Sequence, residues 1–243
     1  VDVAHMMAAR LMCGATGSYK LCMRARVDIN WKSELAVNKK AVEHSYQKEI
    51  ESLTKSILTR VTPEDDDWER SQRESTRGRA LLDEKRNSTM KTRIVKQGFR
   101  EDHAFADGPD FNYYSNVASL ESIRASLFRH RRADRRIAIQ DISTAFLQSR
   151  PYGPGIYKYL HFRNPITGEL EWYRQSGPIY GESSAPTRWE ETLAEFLTST
   201  QMGFVRSKNE PSTYYHPERD ILIITYVDDL WYDGSHGDIS WAT

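Results

Sequence analysis

Apolar and polar positions change their period several times along this chain. Between Leu35 and Ile57, apolar residues recur at helix-like spacings with charged residues between them, and residues 1–60 are predicted to form a helical segment. The TPEDDDWERSQ stretch that follows combines a proline with an acidic run, which indicates a surface turn. Residues 78–99 then give two short runs around the polar turn KRNST, the pattern of two strands in a hairpin.

The second half of the chain alternates between the same two patterns. Residues 116–132 and 189–200 have the spacing of amphipathic helices. Their buried faces are predicted to contain Leu120, Ile123, Leu127 and Phe128 in the first helix and Trp189, Leu193, Phe196 and Leu197 in the second. Residues 135–149 begin as a strand, 155–162 form another, and 211–233 give two or three antiparallel strands. Helices interspersed with antiparallel hairpins predict an α+β fold rather than a doubly wound parallel sheet.

The stretch ILIITYVDDLWYDG, residues 221–234, places two adjacent aspartates after an apolar, β-branched run. Either the pair lies in water at a hairpin tip, or a cation lies beside it. Asp141 ends the strand RRIAIQ, where the period changes, and it is the natural third carboxylate. Mg²⁺ accepts one or two carboxylates together with phosphates and water, and two such ions can clamp the oxygens of a phosphoryl transfer.

Charge is balanced overall but unevenly distributed. The formal net charge is zero, yet residues 70–100 hold ten Lys or Arg against three Asp or Glu, and residues 124–136 are rich in arginine. Residues 220–238 contain five aspartates and no Lys or Arg. This distribution is expected if the middle of the chain binds a polyanion and its end binds a cation. Cys13 and Cys22 have no metal-site spacing and are expected to be reduced thiols, and no apolar run approaches membrane-spanning length.

Six segments occur in an order that resembles the reverse transcriptase of Ty1/copia-type retrotransposon polyproteins. They are MKTRIVKQGFRED, ASLESIRASL, IQDISTAFLQS, SGPIYGESSAPTRWEETLAEFL, MGFVRSKNEPSTYY and LIITYVDDL. The third is similar to the family's Q-M-D-V-K-T-A-F-L-N-G pattern, and the last to its catalytic hairpin. The likeness extends from about Lys85 to Gly234.

The resemblance implies a right-hand polymerase with a palm of antiparallel strands and helices and with basic fingers. It implies an RNA-directed DNA polymerase in which Asp141, Asp228 and Asp229 are the catalytic triad. Two Mg²⁺ or Mn²⁺ ions would be held by Asp141, Asp228 and the backbone carbonyl of Ile142. Asp229 would tune the electrostatic field or the primer end.

The resemblance also implies a nucleotide pocket. Phe146 matches the aromatic position that crowds a ribose 2′-OH, although an ordinary core aromatic is the alternative. Tyr180 and Gly181 resemble the segment that lines the pocket near the primer end. The candidates for holding the triphosphate are Lys85, Lys91 and Arg93, with a solvated basic hairpin as the alternative.

Nucleic acid is the macromolecular partner that the resemblance implies. Arg124 and Arg129 are candidates for contacting a primer–template backbone, with a solvated helix end as an equal alternative. Further implied partners are dNTPs and the remainder of the Pol polyprotein, namely integrase and ribonuclease H. The resemblance also implies an intracellular location, in a cytoplasmic particle or the nucleus.

Two departures from the family pattern affect these expectations. Glu182 follows Tyr180–Gly181 where the family usually has leucine, and an acid pointing at phosphates would be unfavourable. The sequence also ends nine residues after Gly234, so residues 61–243 are expected to hold fingers and palm with the thumb absent, and processive synthesis is expected to be weak. An inactive element remnant that at most binds nucleic acid and a metal-dependent nuclease are the alternative functions.

Overall fold

The computed structural model describes residues 29–85, 88–101, 107, 111–130 and 134–243, which form two five-stranded sheets with helices packed on them. The helices are α1 (Trp31–Val37), α2 (Lys39–Ser56), α3 (Trp68–Glu74), α4 (Leu120–Arg129), α5 (Ala185–Leu197) and α6 (His236–Ala242). The strands are β1 (Leu58–Val61), β2 (Thr76–Glu84), β3 (Met90–Lys96), β4 (Arg135–Asp141), β5 (Lys158–Arg163), β6 (Leu170–Gln175), β7 (Val205–Arg206), β8 (Thr213–His216), β9 (Ile221–Tyr226) and β10 (Asp229–Ser235). Short 3₁₀ turns cover Gly98–Arg100 and Ala145–Gln148.

The first sheet has the strand order β1-β6-β5-β2-β3, and all its pairings are antiparallel except that of β2 with β5. Alternation along β3 buries Thr92, Ile94 and Lys96 on one face and leaves the residues between them on the other. Helix α2 covers the buried face, since its residues Val42, Tyr46 and Leu53 recur at helical spacing and face the sheet. The opposite face of the β2–β3 hairpin is therefore available to line a cleft.

The second sheet is wholly antiparallel, with the strand order β4-β10-β9-β8-β7. Its core joins Ile221 and Ile223 of β9 to Trp189, Leu193 and Leu197 of α5. The run ILIIT is thus buried as its composition predicts, and the chain reverses beyond it to form β10. Helix α5 positions that reversal, because it packs beneath the same strands.

The α+β prediction is confirmed, as are the β2–β3 hairpin and the three antiparallel strands of the C-terminal part. The predicted helical segment 1–60 is wrong at its end, because α2 stops at Ser56 and Leu58–Val61 pairs with β6. Residues 1–28, which include Cys13 and Cys22, lie outside the described residues, as do Arg131 and Arg132.

Two predicted core aromatics are exposed. Phe128 of α4 is 71% exposed and Phe196 of α5 is 54% exposed, because each lies at the margin of its helix's apolar stripe. The strand β6 and the helices α3 and α6 were not predicted, since each is short and carries polar residues between its apolar ones. In the part of the chain that the structure describes, no helix combines the length and apolar character needed to span a membrane.

Candidate active site

The turn between β9 and β10 carries the adjacent aspartates at the end of the second sheet. Tyr226 pairs with Asp229, so Val227 and Asp228 are the two central turn residues. Val227 has φ +55°, a conformation that costs a β-branched residue free energy and that needs support from its surroundings. Two hydrogen bonds supply that support: the Trp189 indole donates to the Val227 carbonyl at 2.6 Å, and the Ile142 amide donates to the Asp228 carbonyl at 2.8 Å.

Asp141 lies beside this turn because β4 is the neighbour of β10. In the register of the two strands, Asp141 is the direct partner of Asp229. The structure therefore brings Asp141, Asp228 and Asp229 to the same end of one sheet, although 86 residues separate the first from the second in sequence. The side chains of Asp141 and Asp228 are exposed, and Asp229 is half-buried.

The carboxylates fit a divalent ion that brings some of its own ligands. Among the described residues, no three His, Cys, Asp or Glu side chains converge to form a closed metal site. Mg²⁺ needs no such cage, because it commonly takes one or two protein carboxylates and completes its shell with substrate phosphates and water. Asp141 and Asp228 supply oxygen ligands of that kind. The Ile142 amide is committed to the Asp228 carbonyl, so Ile142 also helps to hold the turn.

A cleft of about 410 Å³ separates the turn from the first sheet. One wall is the open face of the β2–β3 hairpin, which contributes Arg79, Asp83, Lys91 and Arg93. The facing wall contains Phe146, Tyr180, Val227 and Asp228, with Thr144 and Ala145. Three cations thus face the side of the cleft that carries Asp228. This arrangement suits an anionic ligand that bridges the two walls.

Phe146 and Tyr180 form the aromatic part of the cleft. Their rings meet edge to face with centroids 5.8 Å apart. Burial raises the pKa of Tyr180 to about 12, and the nearby carboxylates of Glu49, Asp228 and Asp141 add to the rise while Arg93 opposes it. The Tyr180 phenol therefore stays protonated at neutral pH and can donate a hydrogen bond.

Gly181 has a structural role rather than a place in the cleft lining. It has φ +80°, and a Cβ there would collide with the carbonyl of Lys96. Its neighbour Tyr180 accepts a hydrogen bond from the Lys96 amide at 2.8 Å, and Gly181 itself accepts one from the Gly98 amide at 2.9 Å. Only glycine allows this close docking against the end of β3. Of these two residues, Tyr180 is the one that lines the cleft.

The cations of the hairpin divide into two groups. Lys91 and Arg93 line the cleft as expected, whereas Lys85 is exposed at the hairpin turn and does not line it. Arg79 does line it and was missed from the sequence. Alternation along β2 could have found it, because Arg79 and Asp83 lie on the same face of the hairpin as Lys91 and Arg93.

The two arginines of α4 have different environments. Arg124 is exposed, as a backbone-contacting residue must be. Arg129 instead pairs with Asp220 at 2.6 Å and with Asp233 at 3.2 Å, so the Arg129 guanidinium is already engaged within the protein. Arg135 also pairs with Asp233. These ion pairs give Arg129 a role within the fold, and its contact with nucleic acid stays a prediction.

The acidic end of the chain is also less uniform than its composition suggests. Asp220, Asp233 and Asp238 are each paired with arginine. No ion pair within the described residues involves Asp141 or Asp228. Glu182 points away from the cleft into a buried network, so the conflict with phosphates that its position suggested does not arise.

Comparison with known proteins gives the family. Residues 79–240, well over half of the 243, match the family described as reverse transcriptase (RNA-dependent DNA polymerase). No curated protein matches the chain. Among solved structures, the apo telomerase from Candida tropicalis truncated from its C-terminal domain is similar with a TM-score of 0.37 and 11% identity, over 82% of this chain and 49% of that one. This chain therefore spans about half the length of that neighbour. On the family match, the chain belongs to the reverse transcriptase family.

Proposed function

We propose that this chain carries the nucleotidyl-transfer site of an RNA-directed DNA polymerase of the Ty1/copia retrotransposon type. The reaction would join a deoxynucleoside monophosphate to the 3′-hydroxyl of a primer and release pyrophosphate. One observation carries the proposal: a single cleft has Asp228, from the strand end where Asp141 pairs with Asp229, on the wall formed by the second sheet and cations on the wall formed by the first. In the terms of the family, the second sheet is the palm and the first is the fingers.

The aspartates are proposed to hold two Mg²⁺ or Mn²⁺ ions, with Asp141 and Asp228 as the protein ligands. Ions bound there would supply charge neutralisation to the attacking and leaving oxygens of the displacement. Asp229 pairs with Asp141 across the strands, and it contributes negative charge that favours cation binding. The half-buried position of Asp229 supports a role in shaping the field rather than in direct ligation.

The triphosphate is proposed to lie along the wall formed by the first sheet. Arg93, Lys91 and Arg79 present charged donors in a row on adjacent strands, and a triphosphate offers oxygen acceptors to each of them. Arg93 is 24% exposed and lies 3.9 Å from Asp83, which is too long for a strong hydrogen-bonded ion pair. A phosphate can therefore compete for the Arg93 guanidinium.

Phe146 is proposed to select the sugar. Its ring lines the cleft beside Tyr180 and is fixed by the 3₁₀ turn Ala145–Gln148, whose first residue is buried. A rigid aromatic edge at the ribose position leaves no room for a 2′-hydroxyl, so deoxynucleotides would be preferred. The primer–template would then contact exposed cations outside the cleft, of which Arg124 is the candidate carried forward.

Single-nucleotide incorporation tests the proposal without requiring processive synthesis. The chain is incubated with a 5′-labelled DNA primer on an RNA template, one complementary dNTP, and Mg²⁺ or Mn²⁺. Asp228→Asn removes the carboxylate charge at the turn, and Asp66→Asn is the matched control at an exposed position outside the cleft. Extension by the wild type and by Asp66→Asn, with loss of at least about a thousandfold in Asp228→Asn, is the expected result.

Two other results would change the conclusion. Equal extension by Asp228→Asn would show that the activity does not use this site. No incorporation by folded wild-type protein would contradict the catalytic proposal and favour the inactive remnant, which gel-shift assays with primer–template would then test for nucleic-acid binding.

A further inference from the structure

A network of six charged side chains lies behind the wall of the cleft that contains Tyr180. Three are cationic and three anionic, so their formal charges cancel: Lys96, Lys158 and Arg188 against Glu101, Asp107 and Glu182. Five of the six side chains are at most 6% exposed. Charges so deeply buried are tolerated only when each has partners, and none of these six side chains is among those that the sequence analysis assigned to the reaction.

Glu182 is the most connected member of this network. Its carboxylate accepts hydrogen bonds from Lys158 at 2.7 Å, from the Tyr152 hydroxyl at 2.6 Å and from the Ser184 hydroxyl at 2.8 Å. Its second oxygen accepts from the Gln175 amide. Lys158 continues to Asp107 at 2.8 Å, and Asp107 accepts from Arg188 of α5 at 3.0 Å.

Lys96 and Glu101 form the other half of the network. Their ion pair is 2.6 Å long, and Lys96 also donates to Gln175 at 3.3 Å, so Gln175 bridges the two halves. Lys96 ends β3, Lys158 begins β5, Gln175 ends β6, and Arg188 belongs to α5. The network therefore ties strands of the first sheet to the helix that supports the second.

The segment that contains Tyr180 is held on one side by backbone hydrogen bonds from the end of β3 and on the other by side chains of this network. Tyr180 and Gly181 accept hydrogen bonds from the amides of Lys96 and Gly98, and the Ser183 amide donates to Glu101 at 3.3 Å. Glu182 lies two residues after Tyr180 and is anchored by the side chains that donate hydrogen bonds to its carboxylate. The position of the Tyr180 ring in the cleft thus depends on the partners of Glu182.

We infer that Glu182 is a positioning residue for the incoming nucleotide, acting through the backbone of the preceding residues on Tyr180, which lines the cleft. This inference rests on the proposed function, because its kinetic test measures incorporation of a dNTP. Glu182 does not touch the cleft, so a change there alters nucleotide binding only by moving the segment 180–183 relative to β3. The charge of Glu182 is matched to its surroundings, because Lys158 is buried against it and the charge of Lys96 also acts on its carboxylate.

Glu182→Gln is the direct test, because it keeps the size of the side chain and removes its charge. A glutamine cannot satisfy every partner: its NH₂ group would face either the Gln175 amide or the Lys158 and Tyr152 donors. We expect KM for the dNTP to rise by about tenfold with kcat within about twofold, as for a misplaced binding wall. Amide exchange of Lys96 and Gly98 should accelerate, while that of the Ile142 amide at the turn should not change.

Two further variants separate positioning from stability. Asp233→Asn disturbs a different buried ion pair, with Arg135, and should lower the melting temperature while leaving KM for the dNTP unchanged. The double variant with Lys158→Met and Glu182→Met removes one charge of each sign. It should recover stability relative to Glu182→Gln but keep the raised KM.

The outcomes are decisive in both directions. A folded Glu182→Gln protein with wild-type KM and wild-type exchange at Lys96 and Gly98 would overturn the inference, as would a double variant with wild-type KM. If the wild type incorporates no nucleotide, the proposed function fails by itself, and amide exchange at Lys96 and Gly98 in Glu182→Gln still decides whether Glu182 positions the segment.

Discussion

The indole nitrogen of Trp189 donates a 2.6 Å hydrogen bond to the carbonyl oxygen of Val227. Trp189 is buried in the first turns of α5, and Val227 is the strained residue of the turn that presents Asp228. Helix α5, which packs under the second sheet, thus holds the backbone of the turn from which Asp228 projects.

Replacing Trp189 with phenylalanine should impair chemistry more than stability. The ring still fills the core, but the Val227 carbonyl loses its donor, at a cost of about 1 kcal/mol in the free energy of unfolding. We expect the single-turnover rate at saturating dNTP to fall by about tenfold, because Asp228 is no longer held in place. Trp231→Phe is the control, since it loses a comparable hydrogen bond to Ser126 that does not involve the turn. Equal rates for the two variants would contradict this role.

The hairpin cations should differ in their effect on nucleotide binding. Arg93→Ala removes a guanidinium that lines the cleft, and we expect KM for the dNTP to rise between about tenfold and a hundredfold, the range for a lost charge-assisted hydrogen bond. Lys85→Ala removes a similar charge from the exposed turn outside the cleft lining and should leave KM within about twofold. Steady-state kinetics at fixed primer–template measure both. A larger effect at Lys85 would show that the triphosphate binds near the hairpin tip instead.

A smaller side chain at Phe146 should weaken sugar discrimination. Phe146→Val opens the space beside Tyr180, and we expect the ratio of kcat/KM for dNTP over rNTP to fall by at least about tenfold. Phe196→Val changes an aromatic that is 54% exposed on α5 and outside the cleft lining, and it should leave the ratio unchanged. An unaltered ratio in Phe146→Val would mean that Phe146 is an ordinary packing residue.

The buried network should make stability fall in acid. Burial opposes the ionisation of Glu182 and Asp107, but Lys158 and the other partners outweigh it, so the pKa of each carboxyl lies below its ordinary value of 4.5 or 3.8. Because these pKa values are depressed in the folded state, the stabilisation is complete above the ordinary values and is lost as the pH falls through the folded ones. Thermal melts should therefore be level from pH 7 to about 5 and should decline below about 4.

Glu182→Gln provides the control for this acid dependence. The variant should be less stable at pH 7 yet show a shallower decline below about pH 4, because one of the titrating carboxyls has been removed. Parallel decline in the wild type and the variant would show that other carboxylates dominate the acid transition.

Much of the second sheet could be predicted from local pattern. The run ILIIT has the composition of a buried strand, and the two adjacent aspartates after it indicate that the strand ends there, so the order of residues favours the hairpin that the structure has. The β2–β3 hairpin follows in the same way from two alternating runs around a polar turn. The buried faces of the helices were less predictable, because Phe128 and Phe196 continue an apolar stripe and yet are mostly exposed.

The sequence by itself determined most of the longer elements and the chemical types of the site: aspartates that end strands, cations on a hairpin, and an aromatic after Asp141. Only the tertiary structure decided which of these residues meet. Strand register placed Asp141 against Asp229. The packing of the two sheets brought Arg79, Lys91 and Arg93 into the cleft lining but not Lys85, and buried partners hold Glu182 away from the cleft. The physical reason is that periodicity fixes the face on which a side chain lies, whereas its partners across the fold depend on long-range pairing that local sequence does not specify.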